Sequence, residues 1–254
     1  MMVQRWALGV EYRGGAVHGW QRQPHVPTVQ GVLEGALAVV AGQVISVIAA
    51  GRTDRGVHAT GQVVHFDTTS HRPSQAWIRG TNALLPDWLV VRWAVVVSEP
   101  FHARFSARSR TYRYRLVSDP VRPALETGLV GWTHRTLYLD FLREGCACLL
   151  GTHDFSAFRA AECQAKSPVK TLKRAEVSQV GNEFHFVFQA DAFLQHMVRN
   201  LVGTLVRVGS QEEGAEWISE LLVQRDRTRA APTFSPCGLC LIAVEYDACW
   251  NLPC

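Results

Sequence analysis

Lysine is scarce in this 254-residue chain: it supplies 3 of the 26 basic residues, and arginine the other 23. A lysine-poor, arginine-rich chain suits partners that a planar guanidinium fork can grip, phosphates and flat bases among them. A GC-rich coding bias leaves the same imprint, so composition alone does not decide the partner. Long apolar runs are missing too. None reaches the roughly 18 residues of a membrane span, and the opening "MMVQRWALGV" has no apolar signal core. A soluble, cytoplasmic protein that needs no membrane is predicted.

Other absences narrow the chemistry. Seven cysteines, an odd number without an export signal, point to reduced thiols. Cys237 and Cys240 form one CxxC, and Cys146 and Cys148 one CxC. No second CxxC completes a four-ligand zinc pattern, so these read as packing residues and no metal is expected. A Walker loop, a GxGxxG fingerprint and a GxSxG elbow are also missing, which argues against nucleotide hydrolysis and hydride transfer.

What is there is an ordered pattern of elements. Residues 3–12 alternate, with Trp6, Leu8, Val10 and Tyr12 on one side, as a strand does. Thr28 can cap a helix carrying Val29, Val32, Leu33, Leu37 and Val40 at helical spacing, with Gly42 as its stop. Strands at 45–50 and 62–67, a helix from Ser74 to about Leu84 and a strand at 89–97 follow. The second half repeats the order, with a strand at 110–117 and a helix from Asp140 to Leu150 stopped by Gly151. Strands 171–180 and 183–190 flank Gly181-Asn182 as a hairpin, with Phe184, Phe186 and Phe188 on one side. Helices at about 193–208 and 215–225 precede a last strand at 238–246. Two β-α-β-β-α-β runs imply an α+β protein of two ferredoxin-like halves, 1–104 and 105–254, whose sheets meet around a central catalytic cleft.

Between two of these strands lies "AAGRTDRGVHATGQVVHF", residues 49–66. Gly51, Gly56 and Gly61 recur every five residues, as expected where the backbone needs positive φ or close approach. Asp54 sits between Arg52 and Arg55, and cationic neighbours keep a carboxylate ionised, ready as a nucleophile or base. A solvated Arg-Asp-Arg turn is the plain alternative. His58 reads as a brace for the loop and His65 as a strand residue. Glycosidases need a second carboxylate, and none lies close in sequence.

A second feature is "FHARFSARSRTYRYRLVS", residues 101–118, without any acid. Its arginines suit phosphates, and its interleaved aromatics suit unpaired bases. Strand alternation puts Thr111, Arg113 and Arg115 on one face and Tyr112, Tyr114 and Leu116 on the other. A solvated edge strand would show the same pattern.

Together with "YRGGAVHGWQRQP" at 12–24, "GTHDFSAFRA" at 151–160, "FLQHMVRNLVGTLVRVG" at 193–209 and "GLCLIAVEY" at 238–246, these stretches resemble the tRNA pseudouridine synthase A family in order and spacing. The resemblance covers essentially the whole chain. It implies isomerisation of uridine to pseudouridine on the 3′ side of the tRNA anticodon stem-loop, at tRNA positions 38, 39 and/or 40, by a homodimer using no cofactor. It puts the catalytic aspartate at Asp54, the ring that stacks on the target base at Tyr112, and the residue that splays out the nucleotide at Arg52. Arg199 becomes the basic partner of the aspartate, and Arg22, Arg104, Arg110 and Arg113 become RNA contacts. Arg55 departs from the family, where a small residue is common. Whether Asp54 attacks the sugar, attacks the base or removes a sugar proton stays open. So do a non-catalytic RNA-binding module and a base-excising enzyme as rival readings.

Overall fold

Apolar residues on both faces of "QRWALGVEY" bury the middle of strand β1 (Gln4–Tyr12) on both sides. The computed structural model describes residues 2–253. It is a mixed α/β protein, mostly antiparallel in its strands, and it divides into two compact units: Met1–Arg108 with Leu241–Cys254, and Ser109–Cys240.

In the first unit, β1 lies between β3 (His58–Thr68) and β4 (Leu89–Val97), antiparallel to both, and the short β2 (Ile48–Ala49) pairs with β3. Helix α1 (Val29–Ala41) begins and ends as its sequence dictates. Thr28 Oγ1 accepts from Gly31 N at 3.2 Å, and Gly42 closes the helix in the left-handed region at φ 68°. A helix over 74–82 contains a π turn, Ala76–Gly80, and its Trp77 packs on Trp6 and Phe66, with ring centroids 5.8 and 5.1 Å away.

The opposite face of this sheet is covered as well. Ala7, Val63 and Val97 pack with Phe101, Ala103, Tyr246 and Trp250. The sequence pattern assigns residues 241–254 to the second half, but the structure packs them on the first. Phe101 is 5.2 Å from both the Tyr246 and Trp250 rings, Tyr246 OH donates to Ala103 O, and Arg108 pairs bidentately with Asp247. The tail thus has a structural role.

Residues 45–47 do not extend β2 as expected. Val47 N donates to Glu34 Oε1 at 3.0 Å and Val47 O accepts from Gln30 Nε2 at 3.3 Å. Helix side chains satisfy the backbone there, so no strand partner is required.

In the second unit, β9 (Glu183–Ala190) lies between β5 (Ala107–Ser118) and β8 (Val169–Val180), all antiparallel, with β7 (Gly151–Asp154) beyond β8. A short β6 (Gly131–Thr133) runs parallel to β5. The hairpin turns at Gly181, φ 59°, and Phe184, Phe186 and Phe188 are all buried. Helix α2 (Leu139–Cys148) packs on α3 (Met197–Gly209), α4 (Glu216–Gln224) and β8. Helix α3 starts at Met197, not near 193, because His196 takes the left-handed conformation, φ 63°. Phe193 is left outside the helix. The last strand, β10 (Leu239–Tyr246), neighbours β3, where Gly61 abuts Ile242.

Candidate active site

The backbone around Asp54 is held from several sides. Thr53 is buried, its Oγ1 lies 2.8 Å from Tyr12 OH, and its carbonyl accepts from Trp20 N at 2.9 Å. Gln62, fully buried on β3, donates from Nε2 to Gly51 O at 2.7 Å and to Tyr12 OH at 3.3 Å. After Asp54 the chain turns, with Val57 N donating to Asp54 O at 3.1 Å, and Gly56 adopts φ 85°. The segment after β1 seals the turn: Gly56 N donates to Gly14 O at 3.1 Å and Gly14 N to His58 Nδ1 at 3.2 Å. His58 braces the loop, as its position implied.

Two glycines permit this approach. A Cβ on Gly14 would lie 2.0 Å from Val57 O, and one on Gly19, at φ 87°, 3.0 Å from Thr53 O. Asp54 itself is partly exposed, and Arg52 and Arg55 are exposed on either side. The turn therefore has buried anchors and an open, charged tip.

His65 plays a different part. It is buried on β3, and its Nδ1 accepts from Ala103 N at 3.1 Å. Burial, with His102 and Arg5 nearby, pushes its pKa down to about 4, so it is a neutral structural acceptor.

On the second unit, Tyr112 pairs across the sheet with Phe188, and its ring meets Phe193 edge-on at 5.2 Å. It is 8% exposed. Arg199, half-buried near the start of α3, donates from Nε to Phe234 O at 2.8 Å, while Phe234 N donates to Arg199 O at 3.3 Å. The segment carrying Phe234 is pinned across α3 by buried Asn200. Asn200 donates to Phe158 O at 2.8 Å and accepts from Thr233 Oγ1 at 2.7 Å and Arg227 at 3.1 Å. Met197, Leu201 and Val202 face the core, as the helical spacing implied.

With that geometry in place, the relatives decide the family. The family model described as tRNA pseudouridine synthase matches residues 10–106 and 146–247. Asp54 and Arg199 lie inside those spans and Tyr112 in the interval between them. The tRNA pseudouridine synthase A of Dechloromonas aromatica is 58% identical over 249 residues, covering 98% of this chain and 95% of the relative. Those of Thiobacillus denitrificans and Variovorax paradoxus are each 53% identical, over 251 and 253 residues, with coverage of 99% and 98% of this chain and 96% and 94% of the relatives. The chain belongs to the tRNA pseudouridine synthase family. It is an isomerase that acts on tRNA.

In this tRNA pseudouridine synthase, the candidate RNA contacts sit in different settings. Arg104 is exposed, and Arg22 is exposed with NH1 3.1 Å from Glu34. Arg110 is buried and donates to Asp191 O at 2.8 Å, a tie within the protein. Arg113 is half-buried, and its Nε finds no hydrogen-bond partner among the described residues. Arg115, on the same face of β5, is clamped by Glu183 and Glu126 at 2.5–2.9 Å. Those two acids hold its pKa above the usual guanidinium value, so it is not spare for phosphate.

Tyr12, Thr53 and Gln62 were missed by the sequence reading as loop supports. Their polar atoms on otherwise buried positions were the available signal. Among the described residues, no group of three His, Cys, Asp or Glu could hold a metal, and no helix is long and apolar enough to cross a membrane. Cys146, Cys148, Cys163 and Cys249 are free thiols, and Cys254 lies outside the described residues.

Proposed function

We propose that this enzyme isomerises uridine to pseudouridine on the 3′ side of the tRNA anticodon stem-loop, with Asp54 as the catalytic carboxylate. The observation that carries the assignment is the anchoring of Asp54's turn. Its neighbours are fixed by Tyr12, Gln62, Trp20 and Gly14, while the carboxylate keeps solvent access between two exposed arginines. A rigid turn presenting one carboxylate is what positioned chemistry requires.

The reaction breaks the C1′–N1 bond, turns the base, and forms C5–C1′; the proton lost from C5 is balanced by one gained at N1. Nothing is oxidised and no group leaves, so residues of the chain can suffice without a cofactor. Asp54 serves as nucleophile or base. Arg52 takes the place of the everted nucleotide in the stack, and Tyr112 stacks on the target base. Eversion costs a few kcal/mol, and one base–aromatic stack returns about 1–3 kcal/mol of it. Arg22, Arg104 and Arg113 contact the RNA. The active form is a homodimer in the cytoplasm.

The same reading treats each half as ferredoxin-like. Support comes from the first unit, whose β1, α1, β2, β3, 74–82 helix and β4 follow the β-α-β-β-α-β order. The test is product identity. Purified enzyme and an unmodified tRNA transcript should yield pseudouridine in the anticodon arm and no free uracil. Release of uracil would make it a base-excising enzyme, and binding without product would leave an RNA-binding module.

A further inference from the structure

Arginines of the first unit meet acids where acids are close. Arg5 lies 2.7 Å from Asp67, Arg22 3.1 Å from Glu34, Arg92 3.6 Å from Glu11 and Arg108 2.8 Å from Asp247. Arg13, Arg52 and Arg55 depart from this. All three are exposed, and among the described residues their side chains make no hydrogen bond or ion pair. Glu11, two residues before Arg13, is already taken by Arg92. The Arg-Asp-Arg turn is therefore not neutralised by its own arginines, and a further unpaired guanidinium belongs to the segment that seals it.

The backbone sets Arg13 and Arg55 side by side. Arg13 N donates to Trp88 O at 2.8 Å, and the next residue, Gly14, accepts from Gly56 N at 3.1 Å. Gly56 directly follows Arg55, so the two arginines stand one residue from either end of a single backbone hydrogen bond. Arg55 N also packs on Gly19, where an ideal Cβ would lie only 3.1 Å away. Both side chains thus leave anchored backbone. Like charges set together repel, and an anion with several acceptor oxygens relieves both at once. A planar guanidinium fork matches phosphate oxygens, and a fixed backbone lowers the cost of ordering the contact.

We propose that Arg13 and Arg55 clamp the tRNA backbone at the phosphates flanking the target uridine, leaving Arg52 to enter the stack. This rests on tRNA being the substrate and Asp54 the catalytic carboxylate. It gives Arg55 a purpose beside Asp54: it holds the strand and not the base. An acidic segment of a second copy of the chain is the competing occupant that the test separates.

The test measures equilibrium binding of a tRNA transcript by wild type, Arg13→Ala, Arg55→Ala, the double variant, Arg55→Lys and Arg79→Ala across a salt series, with light scattering on each. Losing one phosphate contact lowers the slope of log K against log salt by about 0.7–0.9, which weakens binding about four- to sixfold near physiological salt. Each single alanine variant should show that change, and the double variant about twice the change in slope. Arg55→Lys keeps the charge and should keep the wild-type slope. Arg79, exposed and unpaired on the 74–82 helix, is the control, and its removal should leave affinity and slope unchanged. A neutral methylphosphonate beside the target uridine should weaken wild-type binding by the same factor and leave the double variant's binding unaltered. Wild-type affinity and slope in both alanine variants, with normal wild-type turnover, overturn the clamp alone. An equal loss in Arg79→Ala overturns it in favour of diffuse attraction. A changed oligomeric state in Arg55→Ala overturns it in favour of a chain–chain contact. Failure of the wild type to bind or modify tRNA sinks the clamp together with the functional reading.

Discussion

Adding one methyl group at Gly14 should damage catalysis far more than folding. The ideal Cβ at this position lies 2.0 Å from Val57 O and 2.6 Å from Val57 C, both backbone atoms. Since Cβ contacts below 3.0 Å are essentially never seen, the two segments must part by about 1 Å at this point. That movement acts on the turn itself, because Gly14 also accepts from Gly56 N and donates to His58 Nδ1. Misplacing a catalytic group by about 1 Å can cost on the order of 100-fold in rate, whereas overpacking of this kind costs roughly 1–3 kcal/mol of stability. Gly15→Ala is the internal control, since the added Cβ would meet nothing within 4 Å. Single-turnover pseudouridine formation should fall about 100-fold in Gly14→Ala and stay unchanged in Gly15→Ala, with tRNA affinity within a few-fold and cooperative melting in both. A Gly14→Ala enzyme that melts cooperatively and reacts at the wild-type rate would refute the view that this contact sets Asp54.

Three further outcomes follow from the same structure. Asn200→Ala removes three hydrogen bonds at a fully buried position and strips a half-buried guanidinium of a partner; denaturant titration should show a loss of about 3 kcal/mol, and a loss under 1 kcal/mol would contradict the network. His65 has a folded pKa near 4, below its unfolded value, so protons bind the unfolded state preferentially between about pH 6.5 and 4. Its contribution is complete above that window and falls as pH drops through it, by roughly 2–3 kcal/mol; the stability difference between wild type and His65→Gln should shrink accordingly, and a pH-independent difference would refute this. Tyr112→Phe should retain most tRNA modification and Tyr112→Ala should lose much more; equal rates would remove the stacking role.

What was legible in the sequence was local. Thr28 and Gly42 bound α1 because cap chemistry lies within one turn of the helix. Asp54 stood out because glycine spacing and flanking charge are visible in a dozen residues, and the structure finds Gly56 at positive φ and Gly61 against Ile242. What was not legible depended on distant pairing. Tyr12 and Gln62 meet near the turn although 50 residues separate them. Strand 45–50 shrank to Ile48–Ala49 because Glu34 and Gln30 claimed the backbone of Val47. The arginines of β5 looked alike in sequence, yet Arg115 is clamped by two acids and Arg110 is tied to a carbonyl. Alternation tells which face a side chain takes, not which partner waits there.

Asp54→Asn keeps the shape of the side chain and removes its charge. Single-turnover reaction of this variant with unmodified tRNA, beside its measured tRNA affinity, probes the carboxylate most directly. Tight binding without pseudouridine is the outcome that its catalytic role demands. Pseudouridine formed at anything near the wild-type rate would mean that another group performs the chemistry.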